Sequence, residues 1–269
     1  MLLGQAAAAE SYMAPFDEAG WQVQRSALVC RLSQNVPRFG DAVFETVGGG
    51  RQSFILRTRK NPLLGGPSTL IAAAPSWNPA REPITLGPVE IAESNEPLRL
   101  GDESAAQLLE ALSAGLAPGF KRPLQADAEQ QASLQLSPIN FLPAYRQYRA
   151  CIGQLLPITF AQIQNTVVEF ASDQTELNAQ AQKKIDLLLR YIKEDRSITH
   201  FDIHAVSSDK TKLLDNVALS KQRAQQVSEY LMSRGVDAKF INTTYRAERA
   251  GKSRQRVVAI RIKRGGSDS

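Results

Sequence analysis

The sequence predicts two domains: a mainly-β N-terminal domain of antiparallel strands, barrel-like or sandwich-like, and a C-terminal α/β domain of order β-α-β-α-β-β. The chain of 269 residues is long enough for two domains of average size. Short alternating apolar runs between turn residues occupy the first part, and a helical apolar period appears only after Pro157. We therefore expect residues 1–10 as a signal-peptide remnant or a flexible N-terminus, 11–157 as a partner-binding β domain and 158–269 as a separate α/β domain.

The N-terminal strands are predicted from short β-like runs bounded by turn residues such as Gly48–Gly50. These runs are residues 21–23, 27–32, 42–46, 53–57, 68–72 and 84–91. The first clear helix is expected over residues 104–117, with Ser104 as the N-cap and Gly115 as the terminator. Further strand-like stretches are expected from there to Cys151.

The C-terminal elements follow from a change of apolar period. Asn178 can cap a helix that runs to Glu194, and a second helix is expected from Asp215 or Asn216 to a stop at Gly235. Strands are predicted over residues 166–170, 197–206, 240–245 and 256–262.

The excess of positive charge is concentrated near the C-terminal end of the sequence. The whole chain has 32 Lys and Arg against 27 Asp and Glu, a net of +5, but residues 1–157 hold 13 basic and 14 acidic side chains. Residues 243–269 hold eight basic and two acidic side chains. This cluster can face nucleic acid, anionic lipid or an anionic wall polymer, or it can be an ordinary solvated surface. Its members are Arg246, Arg249, Lys252, Arg254, Arg256, Arg261, Lys263 and Arg264.

Composition excludes several classes. With 43% hydrophobic residues the chain is not of the disordered type, and it contains no run of 18 apolar residues, which predicts no membrane span. The short apolar start and Ala6–Ala9 are typical of the end of a signal peptide, or of an ordinary flexible N-terminus. Cys30 and Cys151 would form one disulfide in an exported protein or remain buried thiols in the cytosol.

Two constellations could carry chemistry. His200, Asp202 and His204 alternate along a predicted strand and share one face, which suits a metal, although a solvated sheet face is the default interpretation. The chain has no Gly-x-Ser-x-Gly, no Cys with a plausible His partner and no His-Glu-x-x-His. The sequence therefore predicts no enzyme, no cofactor and no metal.

The other constellation pairs an acid with a base. Asp209 follows a predicted strand, and Arg223 lies two turns into the next helix. Such a pair can bind a zwitterion, with Asp holding an ammonium and Arg a carboxylate, or it can form an internal salt bridge.

The segment Asn216-x-x-Leu-Ser-x-x-Arg-Ala-x-x-Val resembles the OmpA-like family of peptidoglycan-binding domains. The resemblance covers about 105 residues, from Val167-Val-Glu-Phe to Arg256-Val-Val-Ala-Ile, although the usual Gly-x-Thr-Asp here is Val206-Ser-Ser-Asp. It implies a site for the peptide stem of peptidoglycan. The implied site residues are Asp209, Asn216, Leu219, Arg223 and Arg256.

The N-terminal half resembles the MotY family of periplasmic flagellar-motor proteins. The resemblance rests on Pro37-Arg-Phe-Gly-Asp-Ala-Val-Phe after Cys30, on Pro75-Ser-Trp-Asn-Pro and on Cys151 before the second domain. It implies the Cys30–Cys151 disulfide and a periplasmic location. The implied partners are proteins of the basal body and the stator, with assembly of this protein into a ring around the basal body. A general envelope protein that binds peptidoglycan without a role in motility is the alternative, and nucleic acid is not an expected partner.

Overall fold

The computed structural model describes residues 10–74, 79, 82–208, 212–249 and 255–265. The chain divides into two compact units, one ending at Pro157 and the other beginning at Ile158. Residues 1–9 of the predicted N-terminal segment and residues 75–78 of the Pro75–Pro79 motif lie outside the described residues, whereas Glu10 begins the first strand. None of the helices in the described ranges combines the length and apolar character of a transmembrane span.

The N-terminal unit contains two five-stranded sheets, and the prediction of a mainly-β domain is confirmed. The first sheet has the order β1-β10-β9-β6-β7 and the second β2-β3-β4-β5-β8, and neither closes into a barrel among the described strands. The strands are β1 Glu10–Tyr12, β2 Gln22–Arg25, β3 Val29–Val36, β4 Gly40–Val47, β5 Gln52–Thr58, β6 Gly66–Ala73, β7 Ile84–Ile91, β8 Leu98–Leu100, β9 Ala117–Leu124 and β10 Asp127–Gln135.

One apolar core joins both sheets of this unit. Leu32 and Phe44 of the second sheet and Phe120 and Leu134 of the first belong to the same buried cluster. The pairing is antiparallel except at β1, which runs parallel to β10. A three-residue strand adds at the edge of a sheet in this way because its partner comes from far along the chain and no hairpin fixes its direction.

Two helices complete the unit, α1 Asp102–Ser113 and α2 Phe141–Ile152. Helix α1 starts earlier than predicted, with Gly101 as N-cap, and Gly115 adopts a φ of 78° beyond its end. Strands were expected up to Cys151, and this prediction is wrong for Phe141–Ile152, which form helix α2. Phe141, Ala144, Tyr148 and Cys151 are its buried residues and recur at helical spacing.

The Cys30–Cys151 disulfide is present and links β3 to the last turn of α2. The two Cα atoms are 6.0 Å apart, and the closed loop spans 121 residues. Both cysteines are buried in the core shared by the two sheets. The disulfide therefore joins two elements that no short loop connects.

The C-terminal unit has the predicted order β-α-β-α-β-β. Its four strands form a sheet of order β11-β14-β12-β13, in which β12 and β13 are parallel and the other neighbours antiparallel. A short helix before the first strand and a 3-10 turn, Ala238–Phe240, were not predicted. The elements are α3 Phe160–Ile163, β11 Asn165–Glu169, α4 Ala179–Glu194, β12 Ile198–Ser207, α5 Leu213–Ser233, β13 Ile241–Ala247 and β14 Arg256–Arg264.

Both long helices of this unit bury one apolar side. Helix α4 begins at the predicted cap, where the Asn178 side chain accepts a hydrogen bond from the Ala181 N–H at 2.8 Å. Helix α5 starts at Leu213 rather than Asp215 or Asn216, and it ends just before Gly235, whose φ is 96°. The early start places Asn216 inside the first turn instead of at the cap.

Candidate ligand-binding site of the C-terminal unit

Four strand ends meet at one edge of the C-terminal sheet. Ser207, the last residue of β12, is paired with Ala247 at the end of β13 and with Arg256 at the start of β14. The Phe170 N–H just after β11 donates to the Arg256 carbonyl at 2.8 Å. Ligands of α/β sheets bind at edges of this kind, where loops leave the strands together. The predicted site residues that the structure describes lie around this edge.

Arg223 of α5 reaches into this edge. Its side chain has 0% exposed area, although it is one of the largest side chains in the protein. Its Nε donates to the Gln174 carbonyl at 2.9 Å, and its two Nη atoms donate to the Ala171 carbonyl at 3.1 Å and to Ser207 Oγ at 3.3 Å. The guanidinium carbon also lies 5.3 Å from the Phe170 ring centroid. A buried cation is tolerated because polar acceptors and an aromatic face surround it.

Asn216 fixes the other side of the edge. It is fully buried, and its amide Nδ2 donates to the Glu248 carbonyl at 3.0 Å. The Glu248 N–H in turn donates to the Ser207 carbonyl at 2.9 Å. Asn216 therefore ties the start of α5 to the chain that leaves β13.

The remaining predicted site residues differ in their placement. Leu219 is half-buried on α5, one turn before Arg223. Arg256 is half-buried and reaches this edge through its backbone pairing with Ser207. Asp209 lies outside the described residues. The structure therefore brings together Asn216, Arg223 and Arg256 with Leu219 beside them, and it describes no contact of Asp209.

Three acceptors of Arg223 in the described part of the chain were not predicted. They are main-chain carbonyls at residues 171 and 174, in the loop between β11 and α4, and the Ser207 hydroxyl. Ser208, also fully buried, accepts from the Gln255 N–H at 2.6 Å and donates its own N–H to the Gln255 carbonyl at 2.9 Å. Ser207 and Ser208 belong to the segment Val206-Ser-Ser-Asp, but the residue type serine alone does not predict a buried hydrogen-bond acceptor.

This arrangement holds a dehydrated cation in one position. A guanidinium that several acceptors hold from different directions loses little further entropy when it binds a carboxylate. In a site shielded from water, its attraction to an anion is also stronger than on an open surface. Arg223 has no exposed area, so contact between a ligand carboxylate and its guanidinium requires the chain that covers it to move.

The basic C-terminal cluster is partly neutralised within the unit. Arg264 forms two hydrogen bonds to Asp195 Oδ2, at 2.8 and 3.0 Å, and Arg246 lies 3.1 Å from Glu248. Burial opposes the charge of Asp195, but hydrogen bonds from Ser197 and Arg264 bring its pKa below the ordinary value. These pairs reduce the charge that is left for a long polyanion.

His200, Asp202 and His204 share the sheet face opposite buried Phe201, Ile203 and Ala205, as the alternation predicts. Asp202 is 3.2 Å from Lys263, and hydrogen bonds from Asn242 and Lys263 outweigh its partial burial and lower its pKa. His204 Nδ1 contacts the Thr244 hydroxyl at 2.9 Å. Within the described ranges, no three His, Cys, Asp or Glu side chains are grouped as metal ligands.

Comparison with known families places both halves of the chain. The family described as MotY N-terminal domain matches residues 12–157, more than half of the chain. The chain belongs to the MotY family. The OmpA family matches residues 169–260, the range that contains the site. The sodium-type flagellar protein MotY of Vibrio parahaemolyticus is 22% identical over 228 residues, which are 84% of this chain and 78% of that protein.

Two solved structures each resemble somewhat more than a third of this chain. The OmpA-like domain of FopA1 from Francisella tularensis is 26% identical, over 38% of this chain and 75% of that one, with a TM-score of 0.32. The peptidoglycan-associated lipoprotein of Burkholderia pseudomallei is 19% identical, over 36% of this chain and 89% of that one, with a TM-score of 0.32.

Proposed function

We propose that this protein is a non-enzymatic component of the bacterial flagellar motor that binds peptidoglycan through its C-terminal unit. One observation carries the proposal: a single chain joins a MotY N-terminal domain to an OmpA-family domain. The relative from Vibrio parahaemolyticus is named a flagellar protein, and it matches over 84% of this chain. The N-terminal unit would contact the basal body or stator, and the protein would hold stator units in a ring around the basal body.

The proposed location is the periplasm. The buried Cys30–Cys151 disulfide supports it, because such bonds persist in oxidising compartments. Peptidoglycan and the outer parts of the flagellar motor both lie in that compartment.

The proposed ligand is the peptide stem of peptidoglycan. Arg223 would hold a stem carboxylate and Asp209 an ammonium group, while Asn216 and Leu219 shape the site and Arg256 adds positive charge beside it. The convergence of Asn216, Arg223 and Arg256 at one sheet edge supports these roles. The choice of ligand rests on the resemblance to OmpA-like domains.

Co-sedimentation with purified sacculi tests this site. We expect the Asp209→Asn variant and the Arg223→Lys variant to bind at least about tenfold more weakly, since each loses a charge-assisted contact or its geometry. The matched control is Arg190→Ala, which removes an exposed cation from α4. Equal sedimentation of the wild type and both site variants would refute the assignment.

The role in motility needs a separate experiment. Deletion of the gene should abolish or slow swimming, and expression of the wild-type chain should restore it. Normal swimming of the deletion strain, together with retained binding to sacculi, would favour the alternative of a general envelope protein.

A further inference from the structure

The N-terminal unit carries a basic surface pocket of its own. It has a volume of about 510 Å³ and lies where the β3–β4 turn meets the end of β5. Four of its lining residues are cations, Arg38, Arg57, Arg59 and Lys60, with Asp41 as a lining acid. The whole of residues 1–157 has 13 basic and 14 acidic side chains, so this local excess is not a property of the unit as a whole.

The backbone around the pocket is fixed. The Phe39 N–H donates to the Val36 carbonyl at 3.0 Å and closes a tight turn, in which Arg38 has a φ of 65°. Thr58 Oγ1 donates to the Phe39 carbonyl at 2.5 Å, which attaches the turn to the end of β5. A non-glycine residue at positive φ costs free energy, so the surrounding turn must hold Arg38 in this conformation.

Two of the four cations already hold carboxylates from this chain. Arg38 Nη1 lies 3.2 Å from Glu10, and Arg57 Nε lies 3.9 Å from Glu96. Arg59 and Lys60 are exposed, and neither forms an ion pair with an acid in the described part of the chain. Arg59 and Lys60 are therefore the two cations of the pocket that are available to an acid from another molecule.

We propose that this pocket binds a short acidic segment of a protein partner, with Arg59 and Lys60 contacting its carboxylates. The Arg38–Glu10 ion pair at 3.2 Å shows that a protein carboxylate suits an arginine of this rim, whereas Glu96 is bound mainly by Arg99 at 2.5 Å. Charge complementarity favours a short segment over nucleic acid, because a long polyanion would also meet the 14 acids of the unit. The inference does not depend on binding to peptidoglycan, which involves the other unit.

Binding of a fluorescent hexaglutamate peptide to the full chain, followed by anisotropy at low and at physiological salt, tests the proposal. The double variant Arg59→Ala/Lys60→Ala should weaken binding by about tenfold or more, because two charge-assisted contacts are lost. The matched control is Arg51→Ala/Arg149→Ala. It removes the same charge from two exposed positions, and Arg51 lies just before β5, at the strand end away from the pocket.

The outcomes separate the possibilities. Weaker binding of the pocket variant with unchanged binding of the control supports the site. Equal affinities of the pocket variant and the control variant for the peptide would overturn the proposal. Displacement of the peptide by inorganic phosphate that supplies the same total negative charge as the peptide would also overturn it. Tighter binding of a single-stranded DNA oligomer than of the peptide would also overturn it. Co-sedimentation of the pocket variant with sacculi should stay at the wild-type level, so failure here is distinguishable from failure of the peptidoglycan site.

Discussion

Replacement of both cysteines by alanine should destabilise the N-terminal unit strongly while leaving its fold recognisable. The disulfide closes a loop of 121 residues between β3 and α2. In the reduced unfolded chain that closure is absent, so the unfolded state gains entropy. Alanine is the better replacement, because serine would bury a hydroxyl at positions that are 0% and 4% exposed.

The magnitude follows from the loop length. The chain-entropy relation gives about 4–5 kcal/mol at 25 °C for a loop of 121 residues, and loss of the buried sulfur atoms adds to this. A domain is typically stable by only about 5–15 kcal/mol. We therefore expect the free energy of unfolding of this unit to fall by about 5 kcal/mol.

Tryptophan fluorescence during urea unfolding measures this change selectively. Both tryptophans of the chain, Trp21 and Trp77, belong to the N-terminal half. Trp21 Nε1 donates to the Ser137 carbonyl at 2.9 Å, and its ring lies edge-on to Phe141 at 5.1 Å. Phe141 begins the helix that ends in Cys151, so the indole reports the docking of that helix.

Wild-type protein with its disulfide reduced is the control, and it should unfold at nearly the same urea concentration as the alanine variant. A loss of less than about 1 kcal/mol in both would refute the reasoning. That result would mean that the reduced unfolded chain keeps contacts which already hold the loop ends together.

Three further changes probe the same unit. Gly40→Ala should lower the free energy of unfolding by more than about 2 kcal/mol, because the φ of Gly40 is 151° and an added Cβ would lie 2.0 Å from the Arg57 carbonyl oxygen. The control is Gly20→Ala, where an added Cβ meets nothing within 4 Å. It should lower the free energy of unfolding by less than about 1 kcal/mol in the same urea assay. Tyr148→Phe should cost about 1–2 kcal/mol, since it breaks the 2.8 Å hydrogen bond to the Thr46 hydroxyl in the core. Burial is the main reason that the pKa of Tyr12 is raised from 10.0 to about 12, so its contribution to stability is complete below pH 10 and is lost as the pH rises to 12. Tyr12→Phe should therefore show a smaller loss of stability over that range, and identical alkaline unfolding curves for the two proteins would contradict this.

Helices with a clear apolar period and a capping side chain could be predicted from the sequence. Asn178 and Glu194 bound α4 as expected, because an Asx cap and a regular stripe act locally. Helix α2 was missed although its buried residues have helical spacing. Pro143 lies in the first turn, where its missing N–H costs nothing.

The candidate site shows a similar division. Arg223 and Asn216 could be recognised from their motif, because each needs a particular side chain at a particular spacing. Their partners could not, since the carbonyls of Ala171, Gln174 and Glu248 act through the backbone and any residue supplies the same oxygen. Only the folded loop shows which carbonyls meet the guanidinium.

The burial of Arg223 determines how the peptidoglycan site should be tested. Removing its guanidinium would leave the carbonyls of Ala171 and Gln174 and the Ser207 hydroxyl without this donor, so Arg223→Ala would damage the sheet edge as well as any binding. Loss of binding in that variant would then follow from either cause. Lysine keeps the charge but not the planar fork, and Asp209→Asn keeps the shape but not the charge. If both lose binding to sacculi and keep the wild-type unfolding curve, charge and geometry at this edge recognise the ligand, and the fold is not the cause.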